Sequence, residues 1–273
     1  MSSRTVGKTG KPAQHGHQAR KRFGQNFLHD PHIIDRIIKA FKPLPGQHLL
    51  EIGPGQGALT DSLLSAGEHL DVIEVDRDLA AMLRQRYLDK PGFILHEADV
   101  LKFDFRSLDC PPHSLRIIGN LPYNISTPLL FHLLDYQDLI HDMSFMLQRE
   151  VVDRMAAAVS ADNYGRLSLM MQYHCKVERL FRVPSTAFTP QPKVESAIVK
   201  LTPWRERPFT AKNPAMLAQV VRTAFNQRRK TIRNSLKTLL PLAQLEALGI
   251  DINLRPENLS LADYVRISDS LQP

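Results

Sequence analysis

Long apolar runs are missing from this chain of 273 residues. No stretch approaches the roughly 20 residues that cross a bilayer, and no signal-peptide core follows the basic N-terminus. Gly7, Gly10, Pro12 and Gly16 make the first 22 residues a poor amphipathic helix, which argues against a transit peptide. Cysteine is scarce: Cys110 and Cys175 stand alone, in no zinc-type spacing, and two cysteines make no disulfide framework. The eleven histidines are scattered, and His15-Gly16-His17 reads as a solvated pair in a tail. The expectation is a cytoplasmic protein with free thiols, no membrane span and no metal site. With 43% hydrophobic and 23% charged residues, the chain suits a soluble globular fold.

Acidic residues are missing from two particular places. Residues 1–22 carry Arg4, Lys8, Lys11, Arg20, Lys21 and Arg22 with no acid, and residues 219–237 carry Arg222, Arg228, Arg229, Lys230, Arg233 and Lys237, again with no acid. Taking these twelve from the 35 lysines and arginines leaves 23 against 28 acids elsewhere, so the formal charge of +7 is two basic patches on a mildly acidic body. Either run alone would pass for a solvated face. Two of them at opposite ends of the chain point to a polyanion, and nucleic acid fits best. A membrane surface fits less well, because neither run has a strong aromatic apolar face.

Residues 1–19 are polar, with Gly and Pro, and read as a tail. Lys21 to Leu28 looks like an ordered lip before a helix. Asp30 is a good N-cap and Pro31 a good first helical residue, and Ile33, Ile34, Ile37, Ile38 and Phe41 follow at helical spacing. Leu49 to Ile52 reads as a strand, Gly53-Pro54-Gly55-Gln56-Gly57 as a glycine turn, and Ala58 to Ala66 as the helix after it. Strands follow at Leu70 to Val75 and Phe93 to His96. Glu74 lies 21 residues after Gly53, where a Rossmann-like sheet places an acid on ribose hydroxyls. Asp99, past the third strand, can accept from an adenine amino group. Singly, Glu74 could pair with a surface base and Asp99 could cap a turn. The ordered set points to a cofactor that contains a nucleoside.

The fourth strand ends in Ile117-Ile118-Gly119-Asn120-Leu121-Pro122-Tyr123. Pro122 fixes its own φ and biases Leu121 away from the helical region. Asn120 offers a side-chain oxygen and Leu121 a backbone carbonyl, two acceptors for the two hydrogens of one amino group, while Tyr123 offers a flat face for a ring. An ordinary strand-to-helix turn would use the same residue types. The upstream motifs decide the matter, since strand carboxyl ends share one crevice in such sheets. A helix is expected from Thr127, a strand over Met143 to Leu147, a helix over Glu150 to Val159, and a strand over Ser196 to Leu201. Residues 165–175 are ambiguous between helix and strand. Val183 to Val194 reads as a proline-punctuated loop in which Phe188 is either a packed side chain or a second aromatic wall of the pocket. From Pro214 the pattern is helical and presents the basic face, with a last helix over Leu261 to Leu271. The division expected is a tail (1–19), an α/β domain (20–205) and a small all-α domain (206–273).

Two cofactors suit the pocket. A dehydrogenase predicts G-x-G-x-x-G around a pyrophosphate. Here the spacing is G-x-G-x-G with Glu51 just ahead, awkward beside a pyrophosphate but compatible with the cationic end of S-adenosylmethionine. A small-molecule dehydrogenase would also leave the basic patches without a role.

Lys21 to Leu28, Glu51 to Gly57, Gly119 to Pro128 and Phe225 to Asn234 closely resemble the motifs of the rRNA adenine dimethyltransferase family. The resemblance covers nearly the whole chain beyond the tail. The basic helical end resembles the ribosome-assembly branch rather than the macrolide-resistance branch. An adenine DNA methyltransferase, whose loop commonly begins with Asp and carries two prolines, matches less well. The resemblance implies a Rossmann-like, S-adenosylmethionine-dependent methyltransferase domain with a small C-terminal all-α domain. It implies dimethylation of two adjacent adenosines in the hairpin near the 3′ end of 16S rRNA, by a monomer acting on the small ribosomal subunit. Asn26, Leu28, Gly53, Gly55, Glu74, Asp99 and Asn120 would line the cofactor site. Asn120, Leu121, Pro122 and Tyr123 would hold the base with Phe188 as second wall, and Arg222, Arg228, Arg229, Lys230, Arg233 and Lys237 would meet RNA. A non-enzymatic assembly factor, with methylation as a checkpoint, is the alternative.

Overall fold

A computed structural model describes residues 25–227 and 229–271. The N-terminal basic run, the tail and Arg228 lie outside the described residues.

Seven strands form one sheet in the order β4-β3-β2-β5-β6-β9-β7. These are β2 (His48–Ile52), β3 (Leu70–Glu74), β4 (Phe93–Glu97), β5 (Leu115–Asn120), β6 (Ile140–Gln148), β7 (Cys175–Val183) and β9 (Ser196–Pro203). The first five pair in parallel; β9 runs antiparallel between β6 and β7. Two further strands, β1 (Phe27–Leu28) and β8 (Phe188–Thr189), pair antiparallel apart from the main sheet.

Strand alternation explains why both faces of the sheet are covered. Leu50, Ile73 and Ile117 enter one apolar core with Leu129, Leu130 and Leu133 of α4 (Ser126–Leu134) and Val151, Val152 and Met155 of α5 (Arg149–Met155). Their neighbours Leu49, Val72 and Ile118 enter another, with Ile37 and Phe41 of α1 (Pro31–Phe41) and Leu63 of α2 (Thr60–Ala66). Neighbouring residues on a strand point to opposite faces, so central strands covered on both sides read as unbroken apolar runs. Gly119 is required by closeness: a Cβ there would lie 2.5 Å from the Ile52 carbonyl oxygen of β2. The register pairs Ile52 with Gly119, so β2 and β5 end side by side.

At the opposite end of the sheet, Arg116 anchors α1. Its guanidinium is bidentate to Asp142 at 2.8 and 3.0 Å and donates to the Phe41 and Lys42 carbonyls that end the helix. Burial alone would raise the Asp142 carboxyl, but the hydrogen bonds and charge of Arg116 prevail and hold it below the usual carboxylate range.

The C-terminal helices are α7 (Pro214–Asn226), α8 (Ile232–Ser235), α9 (Leu242–Ala247) and α10 (Leu261–Ser270). Their core includes Leu217, Val221, Ile232 and Tyr264, and also Tyr164, Leu169 and Tyr173 from in and around α6 (Arg166–His174). No helix among the described residues is long and apolar enough to cross a membrane. Nor do the described residues hold a His/Cys/Asp/Glu cluster suited to a metal ion.

Several element boundaries depart from the sequence reading. The helix expected over 150–159 ends at Met155, before Ser160 takes a left-handed φ of 67°. The ambiguous stretch 165–175 is helix up to His174 and strand from Cys175. The loop expected over 183–194 contains β8, and α3 (Arg77–Arg86) and β7 were not expected at all.

Candidate active site

The carboxyl ends of β2, β3, β4 and β5 open on one cavity of about 290 Å³. It brings together Asn26, Leu28, Gly53, Gly55, Glu74, Asp99, Asn120, Leu121, Pro122, Tyr123 and Phe188, each of which the sequence put forward. Arg222, Arg229, Lys230, Arg233 and Lys237 do not line it; each is exposed in the helical part.

The turn after β2 has Gly53, Gly55 and Gly57 at φ of 66°, 58° and 86°, in the left-handed region that glycine tolerates. At Gly55 a Cβ would also meet the Phe27 ring at 3.1 Å, so the lip of β1 lies directly over the turn. The Gly55 N–H donates to Glu74 Oε2 at 3.3 Å, and the Asp76 N–H donates to Glu74 Oε1 at 2.9 Å. Burial raises the Glu74 carboxyl above its ordinary value, and these backbone donors partly oppose that rise. The carboxylate is thereby aimed by the backbone at the end of β3. Asp99 is exposed, and its Oδ1 accepts from the Leu101 N–H at 3.1 Å.

Glu51 is the acid that stands just ahead of the glycine turn in the sequence. It is 2% exposed, accepts a 2.6 Å hydrogen bond from the buried Thr60 hydroxyl, and is pushed up to about 8 by burial. The Thr60 bond opposes this rise, and the nearby charges of Glu74 and Asp61 add to it. Burial thus favours its protonated form at the cavity wall, and a cation that arrives there favours ionisation.

On the other side stands the loop after β5. The Asn120 amide donates from Nδ2 to the Asn26 carbonyl at 3.0 Å. A carbonyl can only accept, so this contact assigns the amide's orientation and turns Oδ1 away from the lip. The Leu121 N–H donates to the Met146 carbonyl at 3.2 Å, tying the loop to β6. Phe188 is 3% exposed, with its backbone in β8 opposite Leu28 of β1. Phe188 is thus a packed side chain that also lines the cavity. The contacts of Asn26, Thr60 and Ser196 with Asn120, Glu51 and Tyr123 had no sequence signal, since their separations run from 9 to 94 residues.

Three acids (Glu51, Glu74, Asp99) line the cavity, and among the described residues no Lys, Arg or His does. That donor set rejects a pyrophosphate. It suits a nucleoside with a cationic tail, with Glu74 fixed by the Gly55 and Asp76 amides and Glu51 beside the glycine turn.

The comparisons with known proteins agree. Residues 16–273 match the family described as ribosomal RNA adenine dimethylase. The ribosomal RNA small subunit methyltransferase A of Pseudomonas putida is 59% identical over 258 residues, covering 94% of this chain and 97% of that protein. Its counterpart in Pseudomonas aeruginosa is 57% identical, covering 93% of this chain and 95% of its own length. Among solved structures, a dimethyladenosine transferase from Plasmodium falciparum superposes with a TM-score of 0.77 at 30% identity, covering 88% of this chain and 95% of that one. The 23S rRNA methyltransferase ErmE gives 0.69 at 26% identity, covering 90% and 99%. With an α/β sheet ending in an acid-lined nucleoside cavity, and with relatives matched over nearly their full lengths, the chain belongs to the ribosomal RNA adenine dimethylase family and is an S-adenosylmethionine-dependent methyltransferase.

Proposed function

We propose that the chain places two methyl groups on each of two adjacent adenosines in the hairpin near the 3′ end of 16S rRNA, within the small ribosomal subunit. The carrying observation is the pairing, in one cavity, of an acid-lined nucleoside end with the Asn120-to-Tyr123 loop. The relatives named as small-subunit methyltransferases support the choice of RNA.

Bound S-adenosylmethionine supplies an electrophilic methyl group on a sulfonium. The residues suited to hold it are Glu74 at the ribose, Asp99 at the adenine, the Gly53 and Gly55 backbone, and the lip residues Asn26 and Leu28. Glu51 would meet the cationic end.

The target amine is a poor nucleophile because its lone pair is delocalised into the ring. Asn120 Oδ1 and the Leu121 carbonyl accept its two hydrogens, which favours a tetrahedral nitrogen and frees the lone pair for in-line attack. Pro122 keeps the Leu121 carbonyl in place. Tyr123 and Phe188 hold the base between aromatic faces after it leaves the RNA stack. This is positioning and electrostatics aimed at the transition state, and it needs no strong base, because the methylated amine is acidic. The exposed Arg222, Arg229, Lys230, Arg233 and Lys237 grip phosphates, and the basic run to which they belong also includes Arg228 in sequence. Backbone bonds from Ile232 to Leu254 and from Arg233 to Ile252 fix the start of α8, which carries part of this run.

Asn120→Ala tests the reading. Methyl transfer is expected to fall far more than cofactor binding; equal losses in both would reduce Asn120 to a cofactor ligand.

A further inference from the structure

Tyr123 is joined to the sheet at a point outside the loop that carries it. Its hydroxyl shares a 2.9 Å hydrogen bond with the Ser196 Oγ. Ser196 is 1% exposed and is the first residue of β9, in register with Gln148 of β6 and Val183 of β7. Its backbone is therefore held by strands on both sides. The root of Tyr123 is held separately, by the Ser126 hydroxyl donating to its carbonyl at 3.1 Å. The ring that lines the cavity is therefore pinned at its root by α4 and at its tip by β9.

We propose that Ser196 is a positioning residue of methyl transfer, fixing the height of the Tyr123 ring and thereby governing the second methylation above all. The inference rests on the reading of Tyr123 as a wall for the target base. Its physical basis is a change in what holds the base. An unmethylated amine offers two hydrogens to Asn120 and the Leu121 carbonyl. After one transfer a single hydrogen remains, so one of these acceptors loses its partner. The stacked ring then carries a larger share of the alignment between nitrogen and methyl donor. A ring free to swing about its root holds the first amine adequately and the second poorly. A misplaced near-attack geometry acts on the transfer step, with cofactor affinity untouched.

A double-mutant cycle tests this on under-methylated small ribosomal subunits, reading kcat at saturating RNA, S-adenosylmethionine Kd, and the ratio of mono- to dimethyladenosine. Tyr123→Phe and Ser196→Ala each delete one partner of the bond. Each is expected to lower kcat by roughly three- to tenfold, the worth of one ordinary hydrogen bond. The double variant falls no further than either single one, cofactor Kd is unchanged, and monomethyladenosine accumulates. Multiplicative losses, or a parental product ratio in both single variants, overturn the proposal. If Ser196→Ala does not fold, Tyr123→Phe, which leaves β9 intact, decides alone by the product ratio. Tyr123→Ala separates the two readings. Full activity in that variant removes Tyr123 as a wall. Collapse there, with parental behaviour in Tyr123→Phe and Ser196→Ala, overturns the role of Ser196 only.

Discussion

Replacing Glu51 with Gln sets stability against cofactor binding in a way that few single substitutions do. The side chain keeps its shape, and an amide oxygen still accepts from the Thr60 hydroxyl that now bonds the carboxyl at 2.6 Å. What disappears is the buried ionisation. The carboxyl stands at about 8 in the folded chain against an ordinary 4.5, raised chiefly by burial and further by Glu74 and Asp61. A carboxyl raised on folding contributes its full stability below 4.5, loses it progressively as pH rises, and has lost it all above about 8. At 1.36 kcal/mol per pH unit, the loss across that window is on the order of 4–5 kcal/mol, an upper bound. Denaturant unfolding of the cofactor-free protein at pH 5 and pH 8 is the assay. The Gln variant is expected to match the parent near pH 5 and to exceed it by a few kcal/mol at pH 8. Glu74 shifts in the same direction in the parent, so the difference between the two proteins is what isolates Glu51. Calorimetry gives the other half. The parent releases a proton on binding S-adenosylmethionine at pH 7, so its heat depends on the buffer; the variant binds more weakly and releases none. Parent and variant tracking each other across the pH range, with equal cofactor affinity, would refute the assignment of Glu51 to the cationic end.

Glu74→Ala is expected to weaken cofactor binding by at least tenfold, since it removes a buried acceptor that the Gly55 and Asp76 amides position; equilibrium dialysis checks it, and unchanged affinity removes Glu74 from the site. Reversing charge at Arg228, Arg229 and Lys230 is expected to weaken RNA binding and flatten its dependence on salt, as measured in a salt titration. Retained affinity with an unchanged slope would move the footprint elsewhere. Arg116→Ala leaves Asp142 buried without its main partner and is expected to cost about 3–5 kcal/mol in unfolding measurements. Because Arg116 depresses the Asp142 carboxyl, the parent's share of that stability is present above its ordinary value of 3.8 and lost as pH falls further, so the two proteins converge in acid.

The parts of the site that sequence revealed are those in which a strand stops at residues with special backbone chemistry. The Gly53-to-Gly57 turn, Glu74, Asp99 and Asn120-to-Tyr123 each follow a short apolar run, and a parallel sheet gathers such ends by its own geometry. The parts that stayed hidden depend on distant pairing or thin periodicity. Helix α3 buries only Leu79, Ala80 and Leu83 among charged residues, so its stripe is faint, although Asp76 caps it. Strand β7 is an edge strand whose register slips between Arg179 and Phe181, which breaks the alternation that would have marked it. The pairing of Phe27 and Leu28 with Phe188 and Thr189 joins two-residue strands 160 residues apart, with no local pattern to betray it. The Glu51 carboxyl was visible as a residue, but its raised titration arises from burial, against the opposing Thr60 hydroxyl, and only the folded chain brings these together.

The central claim is a reaction on a defined RNA, and its most direct test is methyl transfer. Labelled S-adenosylmethionine is supplied with under-methylated small ribosomal subunits, and the product is mapped on the RNA. The account predicts up to four methyl groups on two adjacent adenosines near the 3′ end of 16S rRNA, abolished in Asn120→Ala. Tight subunit binding without any transfer would contradict it and leave an assembly factor whose basic face, not its cavity, is the working surface.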